Sequence, residues 1–296
     1  MHGWIILDKP LGLGSTQGVS AVKRALRQGG YPKVKVGHGG TLDPLATGVL
    51  PIALGEATKL AGRMLDASKV YEFTIGFGTQ TDTLDAEGTA IATSDVRPTL
   101  ADVEAVLPRF TGPIEQMPPA YSALKVDGER AYDLARAGAE VVLATRAVTV
   151  FSLVHSSGAE EQVDKVTLTA HVSKGTYIRS LARDIALALG TVGSVTMLRR
   201  TRAGPFGLDH AISLDKLNQS ATARALEDIL LPLRAGLDDI PALSLSPDQA
   251  GLLRQGRVLI GIAADDGRYF AIADDVPVAL VEVSGRQVRV VRGFNL

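Results

Sequence analysis

The sequence predicts an α+β fold, with a mixed, largely antiparallel sheet flanked by helices and a small all-β module at the C-terminal end. Strand-like and helix-like segments do not alternate strictly, which disfavours a purely parallel sheet. Near Gly236 the pattern changes to short strands and tight turns. The 296 residues are 46% hydrophobic, enough to bury a sizeable core in about two domains.

The first elements follow from their hydrophobic periods. Residues 4–7 are an apolar, strand-like run, and a glycine-rich turn follows them. Apolar residues then recur at helical spacing from Val19 to Leu26, and Gly29 provides a stop for that helix. Residues 37–44 contain so much glycine that we expect an irregular loop there.

Two later segments alternate between apolar and polar residues, as half-buried strands do. They are residues 71–77 and 166–172. After the second, the period changes to that of a helix, with apolar residues from Ile178 to Leu189. Tyr177 and Arg179 are therefore expected in the first turn of a helix that directly follows a strand.

The C-terminal region is predicted to be a separate domain. Residues 237–241 are a plausible linker, and residues 279–291 form a hairpin around Ser284-Gly285. We therefore expect one domain over residues 1–235 and a second domain over residues 236–296.

Composition excludes several classes of chemistry. Without cysteine there are no disulfides, thiol nucleophiles or Cys-ligated metals, and the five histidines are too scattered to suggest a metal site. The longest uncharged stretch, residues 185–198, is too short to span a membrane, and the N-terminal apolar run is too short for a signal peptide. We expect a cytoplasmic protein with no metal and no membrane partner.

Charge is unevenly distributed although the net charge is only −1. Basic residues dominate segments 1–40 and 173–204, whereas acidic residues dominate segment 81–115. If the two basic segments meet in space, they form one positive surface that suits a nucleic acid. Ordinary solvated helix faces explain the same counts equally well.

The turn at residues 12–18 lies between a strand and a helix, where a dinucleotide-binding loop would lie. Its glycine spacing is one residue too long, and no acidic residue ends a second strand about 20 positions later. A simple turn is the better interpretation, so no nucleotide cofactor is expected.

Two interpretations of Asp43 follow from the residues alone. Asp43 could cap a short helix that has Pro44 at its first position. Alternatively, the glycines around His38 let the backbone approach a ligand closely, and an Arg from elsewhere in the fold could keep Asp43 ionised as a nucleophile.

Four ordered motifs resemble those of the bacterial tRNA pseudouridine-55 synthases, and they span nearly the whole chain. The motifs are Leu7-Asp8-Lys9-Pro10, residues 37–50 (GHGGTLDPLATGVL), Tyr121-Ser122-Ala123-Leu124-Lys125 and residues 173–179 (SKGTYIR). Residues 291–295 resemble, more loosely, the end of that family's RNA-binding appendage. Two residues depart from the family. Many members have Thr at the position of Gly39, and Thr or Ser at the position of Gly14.

The resemblance implies a fold and an activity. The fold is a pseudouridine-synthase core with a small C-terminal β-barrel-like (PUA-like) domain. The activity is isomerisation of the uridine at position 55 in the T-loop of tRNA, by base flipping, Asp-dependent cleavage of the glycosidic bond and reattachment at C5. No cofactor is implied, the partner is the tRNA T-arm, and a monomer is expected.

The resemblance also implies roles for individual residues. Asp43 is the nucleophile, Tyr71 stacks on the flipped uracil and is the candidate for handling the C5 proton, and Arg179 pairs with Asp43. Without the resemblance, core packing or a surface charge would explain Tyr71 and Arg179. The implied substrate-binding residues are His38, Tyr177, Leu198 and Lys9, with Lys9 supporting the floor of the site.

Two alternatives belong to other classes. One is a non-catalytic RNA-binding or tRNA-folding protein that retains this fold. The other is a small-molecule nucleotide enzyme that uses the turn at residues 12–18. The presence of Asp43, Tyr71 and Arg179 together disfavours the first.

Overall fold

A computed structural model describes residues 1–122, 124–126, 129–132, 137, 143–156 and 163–296. Ala123 of the third motif lies outside the described residues. In the described part of the chain, no helix is both long and apolar enough to cross a membrane.

Nineteen strands occur among the described residues. They are β1 (Gly3–Lys9), β2 (Val36–His38), β3 (Ala46–Leu54), β4 (Lys69–Phe77), β5 (Thr79–Thr81), β6 (Ala90–Thr93), β7 (Gly112–Gln116), β8 (Lys125–Val126), β9 (Glu129–Arg130), β10 (Arg146–His155), β11 (Lys165–Val172), β12 (Gly193–Ala203), β13 (Phe206–Gly207), β14 (Leu231–Pro232), β15 (Ala242–Ser244), β16 (Leu259–Ile260), β17 (Gly267–Ala273), β18 (Val276–Ser284) and β19 (Gln287–Gly293).

Ten of these strands form the main sheet. Its order is β14-β1-β3-β12-β4-β11-β10-β7, with β2 paired to β3 and β13 paired to β12. Among the described strands of this sheet, β3 and β12 run parallel and the other paired strands run antiparallel. The prediction of a mixed, largely antiparallel sheet is therefore confirmed.

The α-helices in the described ranges are α1 (Ser15–Gln28), α2 (Ala61–Asp66), α3 (Leu100–Val106), α4 (Ile178–Ala188), α5 (Leu214–Thr222) and α6 (Pro247–Arg254). Short 3₁₀ turns cover Gly55–Leu60, Leu107–Phe110, Leu208–His210, Leu226–Ile229 and Leu233–Gly236.

Helices α1 and α4 pack on the main sheet through the apolar faces that the sequence predicts. Val22 and Leu26 of α1 are buried in one cluster with residues of β1 and β3. Leu181 and Ile185 of α4 are buried in another cluster with residues of β4 and β11. Each buried Leu or Ile side chain stabilises the fold by roughly 1.5–3 kcal/mol. This packing places the N-terminal end of α4 beside the loop that precedes β3.

The C-terminal strands form a separate five-stranded sheet in the order β15-β17-β18-β19-β16. The predicted hairpin is confirmed as β18 and β19, with Arg286 in the left-handed region at the turn (φ 63°). Phe270 and Phe294 of this module are buried in one cluster with Trp4 and Leu233. The two sheets are therefore distinct but joined by a shared apolar contact.

Two expectations for residues 37–44 are wrong. The segment is not wholly irregular, because Val36–His38 is a strand that pairs with β3. Asp43 does not cap a helix, because Pro44 and Leu45 form a turn and β3 begins at Ala46. The chain after Ala46 is buried from Gly48 to Leu54 and contains the β-branched residues Val49 and Ile52, which favour a strand.

The turn at residues 12–18 is a simple turn into α1. Strand β1 before it pairs antiparallel with β3. A dinucleotide-binding loop requires a parallel βαβ unit instead.

Candidate active site

Two cavities meet at Asp43. The first, which we call the tyrosine cavity, has a volume of about 340 Å³ and is lined by Tyr71, Tyr177 and Leu198. The second, which we call the acidic cavity, has a volume of about 820 Å³ and is lined by Asp82, Asp85, Glu87 and His38 among others. The residues that line both are Thr41, Leu42, Asp43, Ser122 and Arg179.

The sheet order explains why the walls of the tyrosine cavity come together. Strand β12 lies between β3 and β4, so Leu198 pairs with Ala46 on one side and with Phe73 on the other. Tyr71 lies on β4, and its neighbours across the sheet are Ala170 and Arg200. Tyr71 and Leu198 are both half-buried and reach the cavity.

Tyr177 is held by a glutamine that the sequence analysis did not identify. The fully buried Gln116 side chain donates Nε2 to the Tyr177 carbonyl (3.1 Å) and accepts from the Tyr177 amide (2.7 Å). Tyr177 is the residue immediately before α4. Its backbone is therefore fixed where the chain passes from β11 into the helix that carries Arg179.

Arg179 is the centre of the site. Its Nη2 lies 3.0 Å from Asp43 Oδ2, and its Nη1 lies 3.3 Å from Asp85 Oδ2. The same nitrogens donate to the carbonyls of Tyr121 (3.0 Å) and Thr83 (2.9 Å). The planar guanidinium suits such a set of acceptors, which a lysine could not copy.

Exposure separates the two carboxylates. The side chains of Arg179 and Asp85 are only 8% and 9% exposed, whereas that of Asp43 is 44% exposed. Arg179 is therefore oriented by buried partners while it contacts a carboxylate that a ligand can reach. The predicted pairing of Arg179 with Asp43 is present.

Asp85 is itself oriented within its turn. Its Oδ1 accepts from Thr83 Oγ1 and from the Glu87 amide, which leaves Oδ2 for Arg179. Sequence reasoning counted Asp85 only as part of an acidic segment. Its spacing from Arg179 along the chain gives no sign of their contact.

Lys9 and Ser15 fix the loop that carries Asp43. Lys9 is fully buried, and its Nζ donates to the carbonyls of Leu13 (2.6 Å) and Pro44 (3.2 Å), as well as to that of Pro10. Ser15 Oγ donates to the Leu42 carbonyl and accepts from the Leu42 amide. Lys9 therefore lies beneath the site and supports its floor. Burial, partly offset by Asp43, lowers the pKa of Lys9 to about 8.

Arg200 holds the other side of the same loop. It is 1% exposed and donates to the carbonyls of Gly40 (3.2 Å), Thr41 (3.3 Å) and Val49 (2.8 Å). It therefore cannot belong to an exposed basic face, contrary to the expectation from segment 173–204. Lys9 and Arg179 are also buried and equally absent from that surface.

The two basic segments do meet, through an ion pair in which Arg199 Nη2 lies 2.9 Å from Asp8 Oδ2. Lys174 of the second segment is paired with Asp66, which belongs to neither segment, at 2.8 Å. The exposed cations Lys23, Arg24 and Arg27 lie on α1.

His38 lies in the acidic cavity, where β2 ends. Its Nδ1 is buried and has no hydrogen-bond partner among the described residues. Burial, followed by the charge of Arg200, lowers the pKa of His38 and so favours the neutral ring. Next to it, a Cβ on Gly39 would lie 2.6 Å from Met64 Cβ, which explains why this chain has glycine there.

Comparison with protein families agrees with this geometry. Residues 23–178 match the model of the TruB family pseudouridylate synthase N-terminal domain, and residues 179–238 match that of the tRNA pseudouridylate synthase B C-terminal domain. The chain belongs to the TruB family of pseudouridylate synthases.

Full-length relatives are similar over the whole chain. A protein of Novosphingobium aromaticivorans named tRNA pseudouridine synthase B is 68% identical, with 100% of this chain and 98% of the relative covered. Proteins of the same name in Zymomonas mobilis and Caulobacter vibrioides are 60% and 48% identical, with 100% of this chain and 96% and 97% of those proteins covered.

The fold is similar to that of chains in two solved complexes. A chain of a Cbf5-Nop10-Gar1 complex is 27% identical with a TM-score of 0.73, and 99% of this chain and 85% of that chain are covered. A chain of an H/ACA RNP bound to a substrate RNA containing 2′-deoxyuridine gives a TM-score of 0.72 at 24% identity, with 99% and 85% covered, and supports the fold alone.

Proposed function

We propose that this TruB-family chain acts on the T-arm of tRNA and converts the uridine at position 55 to pseudouridine. Its relatives of 68% and 60% identity carry the name tRNA pseudouridine synthase B over their full length, and the chain is an enzyme of that kind. The observation that carries the proposal is the half-exposed Asp43 carboxylate, held 3.0 Å from a buried arginine at the mouth of the tyrosine cavity.

The reaction begins with extrusion of the target uridine from its loop. Unstacking a base costs about a few kcal/mol, and contacts in a protein pocket offset that cost. The faces of Tyr71 and Tyr177 and the side chain of Leu198 supply apolar contacts for the uracil ring. These three residues are the proposed base-binding residues.

Asp43 acts as the nucleophile at the target nucleotide. Its carboxylate lines both cavities, which supports a position beside the glycosidic bond of a nucleotide whose uracil fills the tyrosine cavity. The bond from ribose to N1 breaks, the base turns, and a bond to C5 forms. Arg179 keeps the carboxylate oriented throughout, and Tyr71 is the proposed group for the C5 proton.

The isomerisation consumes no nucleotide and moves no electrons to an external acceptor. Its atoms balance within one nucleotide. The bond from the ribose to N1 breaks and a bond from the ribose to C5 forms, while C5 loses a proton and N1 gains one. The residues proposed for the reaction are Asp43, Tyr71 and Arg179, with no cofactor in the scheme.

His38 is proposed to contact the opened RNA loop from the acidic cavity. A neutral imidazole ring can stack on a base, or it can donate or accept a hydrogen bond with that base. Lys9 is proposed to act through the backbone of Pro44, because its ammonium is covered and cannot meet the RNA directly.

We also propose two domains, a monomeric state and a place in the cytoplasm with the tRNA substrate. The proposed division into residues 1–235 and 236–296 is supported by the two separate sheets, since the last strand of the main sheet is Leu231–Pro232 and the second sheet begins at Ala242.

The test measures tritium release from a tRNA transcript labelled at uracil C5. Wild-type protein is expected to release tritium, and Asp43→Asn is expected to bind the transcript but release none. Asp164→Asn is the control, because Asp164 is 86% exposed and lies outside both cavities.

Each contrary result has a distinct meaning. If the wild type binds a folded transcript without releasing tritium, a non-catalytic RNA-binding function replaces this proposal. If Asp43→Asn loses both binding and turnover, Asp43 is a structural residue rather than the nucleophile.

A further inference from the structure

Ser122 carries a hydroxyl that the described residues leave unpaired. Its side chain is 4% exposed, and Oγ has no hydrogen-bond partner among the described residues. Buried hydroxyls are nearly always paired in folded proteins, because burial removes the water that would otherwise bind them. An orphaned one beside a binding site indicates that a ligand supplies the missing partner.

The position of Ser122 relates it to the reacting atoms. It is one of five residues that line both cavities, together with Asp43 and Arg179. The preceding residue, Tyr121, provides the carbonyl that accepts from Arg179 Nη2 at 3.0 Å. Ser122 therefore lies in the wall beside the Asp43–Arg179 pair.

The backbone around Ser122 is fixed on both sides. Its amide donates to the Ala120 carbonyl, and its own carbonyl accepts from the Tyr132 amide, each at 3.0 Å. Only the side chain can still change, by rotation about the Cα–Cβ bond among staggered positions. Such a rotation, or displacement of the covering groups by an entering substrate, would bring Oγ to the cavity.

The substrate part that reaches this boundary is the sugar. If the uracil fills the tyrosine cavity, the ribose must lie at the residues shared with the acidic cavity, where Asp43 meets the glycosidic bond. Within an RNA chain the 3′ and 5′ oxygens are esterified, so the 2′-hydroxyl is the one free hydroxyl on that ribose. A serine hydroxyl both donates and accepts, as a 2′-hydroxyl does.

We propose that the Ser122 hydroxyl hydrogen-bonds to the ribose 2′-hydroxyl of the target nucleotide. Ser122 is then a specificity residue, since the 2′-hydroxyl is the group by which a protein distinguishes RNA from DNA at one position. This inference rests on the proposed function, because it needs the target nucleotide in the cavity that Asp43 borders.

The test is a double-mutant cycle on binding. Two T-arm hairpins are prepared, one with uridine and one with 2′-deoxyuridine at the target position. Two proteins are compared, the Asp43→Asn variant and the Asp43→Asn/Ser122→Ala double variant, because the Asp43→Asn change prevents turnover. The dissociation constant of each protein for each hairpin is measured by fluorescence anisotropy. Wild-type turnover of the uridine hairpin is measured in parallel, so that failure of the proposed function is recognised separately.

Loss of one neutral hydrogen bond weakens binding by about 3- to 10-fold. We expect Ser122→Ala to weaken binding of the uridine hairpin by that factor and to leave binding of the deoxyuridine hairpin unchanged. Equal weakening of both hairpins, or no weakening of either, would overturn the proposal.

Stability provides a second readout. Because Oγ has no partner to lose within the described structure, Ser122→Ala should unfold at the wild-type temperature or slightly above it. The matched control for the binding test is Ser220→Ala, since Ser220 is buried on α5 and lines neither cavity. This change should leave the dissociation constants for the uridine and the deoxyuridine hairpins unchanged. A clear loss of thermal stability in Ser122→Ala would indicate a structural hydroxyl and contradict the proposal.

Discussion

Replacing Asp85 by Asn tests whether Arg179 depends on its buried partner. The change removes one charge from a pair whose nitrogen and oxygen lie 3.3 Å apart and whose side chains are both more than nine-tenths buried. With an effective dielectric constant of about 20, the attraction between unit charges at that distance is about 5 kcal/mol before desolvation. Asn keeps the shape and one acceptor oxygen.

The net cost should be smaller than that attraction. Arg179 retains Asp43 and the carbonyls of Thr83 and Tyr121, so its charge is not left without acceptors. Breaking a buried pair costs about 3–5 kcal/mol when the remaining charge is uncompensated. We therefore expect Asp85→Asn to lower the free energy of unfolding by about 2–3 kcal/mol, measured by urea denaturation.

The catalytic effect follows from the geometry of Arg179. Without the charge of Asp85, the hold on Arg179 Nη1 is weaker and rests mainly on the Thr83 carbonyl, so the guanidinium can shift toward Asp43. A displacement of about 1 Å can cost about 100-fold in rate. We expect single-turnover tritium release to slow by about 10- to 100-fold, while the dissociation constant for tRNA changes little.

The matched control is Asp82→Asn. Asp82 lines the same cavity but accepts from the backbone amides of Thr83 and Thr89, and no ion pair with Arg179 is present. It should retain most of the activity. If Asp85→Asn keeps the wild-type rate and stability, the reasoning is refuted. If both variants lose the same amount of activity, the negative charge of the acidic cavity controls the rate, and the support that Asp85 gives to Arg179 does not.

Three further predictions concern the framework of the site. Arg200→Met should destabilise the protein but leave the salt dependence of tRNA binding unchanged, because Arg200 is buried on three carbonyls; a shallower salt slope in filter binding would contradict this. Gly48→Ala should unfold the protein or lower its free energy of unfolding by about 3 kcal/mol or more in urea denaturation. The reason is that φ at Gly48 is +99° and a Cβ there would lie 2.2 Å from the Arg200 carbonyl oxygen. The control Gly62→Ala, where α2 leaves open space, should be neutral or stabilise the protein by about 0.5–1 kcal/mol. Burial lowers the pKa of Lys69 to about 8, so the folded protein loses this proton near pH 8 while the unfolded chain keeps it to about pH 10.4. Between pH 8 and 9.5 the wild type should therefore gain about 1–2 kcal/mol of unfolding free energy relative to Lys69→Met, and a constant difference across that range would exclude this titration.

Local pattern was sufficient for the regular elements that pack one face on the core. Alternation from Tyr71 to Phe77 predicted β4, and the helical period after Ile178 predicted α4, because burial of one face imposes the period of the element. The same reasoning failed at residues 37–44. There β2 pairs with a strand further along the chain, and pairing of this kind leaves little trace in a three-residue segment.

The candidate site divides in the same way. Asp43 and Arg179 were selected as candidates because they stand in the ordered motifs. Tyr71 stands outside those motifs and was selected only through the wider family resemblance. Asp85 and Arg200 could not be assigned from the sequence, because their roles depend on which side chain they meet. A count of charges cannot distinguish a buried arginine that binds carbonyls from an exposed one that meets phosphates.

The sequence by itself determined the fold class, the hairpin of the C-terminal module and the residue types available for chemistry, because these depend on periodicity and composition along the chain. The tertiary structure alone decided that β12 lies between β3 and β4, and therefore that Asp43, Tyr71 and Leu198 share one cavity. It also placed Arg179 between two carboxylates that lie 42 positions apart, Asp43 and Asp85. Sheet order and side-chain contact are long-range properties, and they arise only when the whole core packs together.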